Sequence, residues 1–155
     1  MQNKRNLYIA LGLAGLAIII LVVGLTYKNW GNGTGPGEEA KFEKTEAPQG
    51  QLVGSFPKEL MIESNPLVKN SYSLKYDGST EQPSVNYYSR FTVEENFRLF
   101  RDRLKTLGYT ITKDSKVAEG IYSIYGTRGN ENVNITIIQT DPKVMPNVVM
   151  AYVKM

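Results

Sequence analysis

An α+β fold is what this sequence predicts: one N-terminal transmembrane helix, then a small domain with a mainly antiparallel sheet packed on one helix. Three observations predict it. Leu7 to Leu25 carries no charge. Val93, Phe97, Phe100, Leu104 and Leu107 recur at helical spacing. Around that stripe the apolar residues recur every second position, as on strands half-buried against a core.

The apolar run is extended by Thr26 and Tyr27 to 21 residues. As a helix it would be about 30 Å long, the thickness of a bilayer's hydrocarbon core. Tyr8 stands near one end, with Tyr27 and Trp30 at the other, where amphipathic rings favour the headgroup layer. A cleaved signal peptide would need a shorter apolar core and a small-x-small site, whereas Val23, Leu25 and Tyr27 fill that region. Lys4 and Arg5 precede the run, Lys28 and Lys41 follow it, and the α-amino group tips the balance to a cytoplasmic N-terminus. The expected layout is a cytoplasmic tail at 1–6, a signal-anchor helix at 7–27, a linker at 28–51 and an extracytoplasmic domain at 52–155.

The linker rests on Gly31 to Gly37, where glycine and proline deny a helix its stiffness and its amide donors. A mixed-charge stretch, Glu38 to Glu46, follows and buries too little apolar surface to order itself. In the outer domain, the helix is expected over Val93–Leu107. Thr92 and Glu95 form a capping box, and Gly108 follows as the C′ residue.

Strands are expected around Tyr72–Tyr76, Val85–Ser89, Tyr109–Thr112, Ile121–Thr127, Val133–Ile137 and Val148–Val153, with a weaker one at Lys58–Ile62. Gly129-Asn130 reads as a hairpin turn, and Asp77-Gly78 opens a longer turn between the two tyrosine-containing strands. The order is roughly βββ-α-ββββ, with six or seven strands in all. Short links between strands favour antiparallel pairing, and a single helix leaves one sheet face uncovered.

Composition excludes more than it assigns. The chain has no cysteine and no histidine. Disulfides, thiolate nucleophiles, Cys- or His-ligated zinc, and Ser-His-Asp or Cys-His catalysis are therefore out of reach. Lys and Arg number 18 against 15 for Asp and Glu, a net +3, too mild a balance for nucleic-acid binding. No cofactor is expected.

Four groups of residues invite a functional reading. Eight of the ten tyrosines lie beyond residue 52; if register brings Tyr88, Tyr122 and Tyr152 to the open face, they form a platform for a glycan or peptide. Ordinary strand composition explains tyrosines equally well. The helix carries Arg98 and Arg101 in a basic stripe that could meet anionic lipid or wall polymer, although charged helix faces are usually just solvated. Ser55-Phe56-Pro57-Lys58 matches the S-x-x-K pattern of penicillin-recognising enzymes by chance only, because its companion motifs are missing. Asp77, Glu81, Glu119, Glu131 and Asp141 fall in turns without paired-carboxylate spacing.

The leading expectation is thus a non-enzymatic recognition or assembly domain outside the membrane, its partners the bilayer and a membrane protein, cell-envelope protein or wall glycan. The alternative is an accessory subunit of a membrane complex acting through its spanning helix. A Ser-Lys hydrolase ranks third.

Overall fold

The computed structural model describes residues 42–76 and 80–155. The anticipated span at 7–27, its flanks Lys4, Arg5, Tyr8, Tyr27 and Trp30, and the turn at Asp77-Gly78 lie outside these residues. Among the described residues no helix is long and apolar enough to cross a membrane.

In chain order the elements are β1 (Phe42–Glu46), a single 3-10 turn (Lys58–Leu60), β2 (Leu67–Tyr76), β3 (Gln82–Tyr88), α1 (Val93–Thr106), β4 (Thr110–Ala118), β5 (Ile121–Arg128), β6 (Glu131–Ile138) and β7 (Asn147–Lys154). The seven strands form one sheet in the order β1-β2-β3-β7-β6-β5-β4, antiparallel throughout. The α+β class and the βββ-α-ββββ order hold. One strand is not where the sequence placed it. Lys58–Leu60 is a 3-10 turn, with Leu60 buried, and the strand that completes the first three is β1, inside the segment expected to be linker. Its Phe-Glu-Lys-Thr-Glu sequence has no apolar alternation. It is held by backbone pairing to β2, and its charges suit an edge that must not recruit further strands.

The helix forms for the reasons its sequence announces. Thr92 Oγ1 accepts from the Glu95 amide at 3.2 Å, and the Glu95 carboxylate accepts from the Thr92 amide at 2.8 Å. At the other end Gly108 adopts φ +81°. The Tyr109 amide then bonds Leu104 O at 2.9 Å and the Gly108 amide bonds Lys105 O at 3.0 Å, the paired bonds of a Schellman motif. The stripe of α1 lies over β4, β5 and β6, burying Val93, Phe100 and Leu104. Gly126 marks the closest approach, since a Cβ there would stand 3.3 Å from Leu104 Cδ1.

The helix does not cover its side of the sheet alone. Val53, Phe56, Leu60 and Met61, from the connection between β1 and β2, join the same core. Arg103 donates to Met61 O at 3.1 Å, and the Val53 amide donates to the buried Ser71 Oγ at 3.0 Å. This connection reads as loop in sequence because its apolar residues follow neither helical nor strand periodicity.

Alternation then sorts the inner strands. Val85 and Tyr87 of β3, Ile124 of β5, Val133, Ile135 and Ile137 of β6, and Val148 and Met150 of β7 are buried on the helix side. Their neighbours in sequence face the other way. That second face carries no helix among the described residues, although Ile138 and Ala151 on it are buried as well.

Candidate functional site

Register converts the open face into a map. One row of Cα partners crosses all seven strands: Glu46, Tyr72, Ser84, Ala151, Asn134, Tyr125 and Lys113. The neighbouring row reads Asn70, Asn86, Val149, Thr136, Ser123 and Ser115. A third contains Leu67, Tyr88, Asn147, Ile138 and Ile121. In these rows the middle strands present a mixed, uncharged set: Ser84, Asn86 and Tyr88 on β3, Ala151, Val149 and Asn147 on β7, and Asn134, Thr136 and Ile138 on β6. Longer side chains stand on either side.

Tyr72 and Tyr125 are four strands apart, about 19 Å at the usual spacing of a sheet. The Lys44 ammonium stands over the Tyr72 ring at 5.0 Å, and that of Lys69 over Tyr88 at 5.9 Å. Tyr125 donates its hydroxyl to Asn132 Oδ1 at 3.1 Å. Three carboxamide oxygens, those of Asn86, Asn134 and Asn147, are shut off from solvent and have no hydrogen-bond partner among the described residues. Each such acceptor costs on the order of 1–3 kcal/mol.

Of the three tyrosines proposed as a platform, only Tyr88 is on this face. Tyr122 pairs with Ile137 and Tyr152 with Val133, which places both on the helix side. The Tyr122 ring packs against Phe97, centroids 5.0 Å apart. The three do not share a surface. Tyr72 and Tyr125 accompany Tyr88 instead, an assignment that depends on strand partners rather than on local alternation. Arg98 is exposed on α1. Arg101, its side chain 41% exposed, pairs its Nε with Asp114 Oδ2 at 2.7 Å.

Tyr152 belongs to a second polar group, where the β5–β6 turn meets the C-terminus of α1. Glu131 accepts from Arg128 Nε at 2.8 Å and from Tyr109 Oη at 3.0 Å. Arg128 also donates to Leu107 O at 2.7 Å, and its guanidinium lies 4.5 Å from the Tyr109 ring centroid. Burial alone would raise the Glu131 carboxyl, but bonds from Arg128, Tyr109 and Tyr152 outweigh it and hold it below the ordinary carboxylate range. Burial, then the charge of Glu131, pushes the Tyr152 phenol up to about 12. Every partner here is satisfied from within. The group ties hairpin to helix.

A third group closes the N-terminus of α1. Buried Ser89 Oγ lies 2.6 Å from Glu63 Oε1 and 2.9 Å from Asn96 Oδ1, and accepts from the Phe91 amide at 3.2 Å. Asn96 in turn donates to Phe91 O and Thr92 O. Ser89 and Asn96 are both fully buried, so this serine is sealed from any substrate. Ser55 donates to Glu81 at 2.9 Å, and hydroxyls of Ser73 and Ser55 lower the Glu81 pKa. Glu119 pairs with Lys116 at 2.8 Å, and Asp141 accepts from the Lys143 amide at 2.9 Å. Among the described residues no three His, Cys, Asp or Glu side chains are grouped to hold a metal ion.

No protein-family model, curated protein or solved structure matches the chain. The open face must be read from its own chemistry. Tyrosine supplies contact area at little cost in side-chain entropy, while serine, threonine and asparagine supply adaptable donors and acceptors.

Proposed function

We propose that the chain is a single-pass membrane-anchored recognition module, which binds its partner across the open face of the sheet and performs no catalysis. In this reading residues 7–27 span the bilayer with the N-terminus inside, and the sheet domain stands outside the cytoplasm. Because β1 claims residues 42–46, the tether is confined to residues 28–41. The observation that carries the reading is the sheet face opposite α1, where β3, β7 and β6 present no charged side chain in the three paired rows and three carboxamide oxygens have no hydrogen-bond partner among the described residues. The absence of cysteine and histidine from the whole chain supports the non-catalytic half.

Site-specific photo-crosslinking tests it in intact cells. A crosslinking residue in place of Thr136, at the centre of the open face, is expected to trap a partner; the same residue in place of Arg98 on α1 is not. No adduct from Thr136, or equal yield from both positions, overturns the assignment. Protease treatment of the same cells with a C-terminal tag tests the location, because an outward domain is removed without breaching the membrane. A domain that stays protected, yet sediments with membranes, would reverse the orientation.

A further inference from the structure

The two edges of the sheet are fastened differently. At one edge β4 is tied to the rest of the domain by its side chains, since Ile111 packs against the core and Asp114 pairs with Arg101 of α1. At the other edge β1 pairs with β2 alone among the described strands. Glu43, Lys44, Thr45 and Glu46 are all exposed on it. The Lys44 ammonium pairs with Glu46 on the same strand and stands over the Tyr72 ring at 5.0 Å, but such contacts in water add little. The backbone ladder is what holds β1.

That ladder is short. The Ala47 amide bonds Ser71 O at 2.9 Å. In an antiparallel pair every second residue turns its amide to the partner, so Thr45 and Glu43 exchange bonds with Ser73 and Lys75, while Lys44 and Glu46 turn their amides outward. Beyond Ala47 the chain turns at Pro48, with the Gln51 amide on Pro48 O at 3.0 Å. The core begins at Leu52 and Val53; Val53 is buried, and its amide is held by Ser71 Oγ at 3.0 Å. Detaching residues 42–51 therefore breaks one edge ladder and takes from the core no described side chain but the half-buried Ala47. Segments with few apolar contacts and solvent-exposed backbone bonds open most readily.

We propose that β1 is a releasable latch, which leaves β2 while the other six strands stay folded and adds residues 42–51 to the chain leading into the domain. The ten freed residues span up to about 34 Å. The opening itself does not depend on where the domain resides. With residues 7–27 as the anchor, release lengthens the tether from residues 28–41 to residues 28–51. A pull between membrane and partner then reaches β1 before it reaches the core, and the domain gains reach without unfolding.

The test is amide exchange in the full chain in detergent micelles, and β2 carries its own control. The Ser73 amide faces β1, whereas that of Tyr72, one residue away, faces β3. Protection at Thr45 and Ser73 is expected to be at least about 100-fold lower than at Tyr72. Low urea should leave their exchange rates unchanged, because a local opening exposes little surface. A second measurement locks the strand. The chain has no cysteine, so Lys44→Cys/Leu74→Cys, at facing Cα partners, can form one disulfide. Oxidation should bring Ser73 protection to within about tenfold of Tyr72, and reduction should release it. Thr45→Pro does the opposite: it removes a ladder donor and should free Ser73 further, while the amides of Ile135 and Met150 keep their protection. Wild-type exchange decides even if the cysteine variant fails to fold. Ser73 exchanging as slowly as Tyr72, or with the same urea dependence, overturns the latch. So does Ser73 protection that the disulfide leaves unchanged, or lost protection at Ile135 and Met150 in Thr45→Pro. The protease experiment reports on the anchor separately: fast exchange at Ser73 in a chain that does not sediment with membranes would keep the latch and sink its use in lengthening a membrane tether.

Discussion

Along β6 the chain alternates between two environments at every step. Val133, Ile135 and Ile137 are buried under α1, while Asn132, Asn134 and Thr136 between them stay half-exposed on the other side. β3 makes the same division, and β7 makes it less sharply: Val85 and Met150 pair on the core side, while opposite Ser84 on the other face Ala151 is buried too. Stability is thus concentrated on one face of the sheet, which leaves the other free to vary in chemistry without unfolding the domain. The two faces should therefore answer to substitution in opposite ways.

The largest expected effect is in the core. Phe100 is fully buried at the centre of the helix stripe, and Phe100→Ala should cost about 3–5 kcal/mol through lost burial and the cavity left behind. Val149→Ala, on the open face and one strand position from Met150, should cost no more than about 1 kcal/mol. Urea unfolding midpoints compare the two directly. Similar losses would mean that the open face is covered by something that contributes to stability.

That contrast was only half legible in sequence. The stripe from Val93 to Leu107, its capping box and its terminal glycine carry their meaning locally, because a helix sets its own contacts at three and four residues. Strand existence is local too, as Val133, Ile135 and Ile137 show. Which strands are neighbours is not local, and so the face shared by Tyr72, Tyr88 and Tyr125 could not be read from spacing. Tyr122 and Tyr152 alternate as plausibly as Tyr88 does, yet both lie on the helix side. β1 was hidden for another reason: its stability comes from backbone pairing to β2, and its side chains spell a charged linker. The unpaired oxygens of Asn86, Asn134 and Asn147 have no sequence signature, since burial of a single polar atom is a property of the packed neighbours.

The next effect in size tests the tie between hairpin and helix, and does so through pH. Glu131 is about one-seventh exposed, with a side-chain accessibility of 15%. Its hydrogen bonds to a guanidinium and a phenol suggest that Glu131→Gln costs about 2 kcal/mol at neutral pH. Its carboxyl is depressed in the folded chain from an ordinary value of 4.5, so the unfolded state binds more protons in acid. The stability it contributes is therefore complete above the unfolded pKa and lost as pH falls through the folded one. Glu81 and Glu95 are lowered as well, so the informative quantity is the difference between wild type and variant. That difference should shrink as pH drops below about 4.5; a gap that stays constant into strong acid would show that the carboxylate charge contributes nothing.

Capping should matter less again. Thr92→Ala removes the hydroxyl that receives the Glu95 amide and should cost about 1 kcal/mol. Because Asn96 also donates to Thr92 O, a backbone contact that alanine keeps, the helix should shift little. A loss well above 2 kcal/mol would indicate that the buried Ser89–Asn96–Glu63 group comes apart with the cap.

The smallest effect on stability should come from the face opposite α1. Asn134→Asp exchanges an amide for a carboxylate of the same shape; the residue is half-exposed, so rotation about its broad terminal torsion can bring the new carboxylate to water although the Asn134 oxygen itself is closed to solvent. The unfolding free energy should change by less than about 0.5 kcal/mol, as for substitutions outside packed regions. An aspartate that must be desolvated at this site would instead destabilise the fold more strongly, and the loss would grow as pH rises and the new carboxylate ionises. The pH dependence thus separates the two cases. A pH-independent, near-zero change is the pattern a recognition face should give, whereas a loss that grows with pH would mean Asn134 belongs to the core and its unpaired oxygen is a cost of packing.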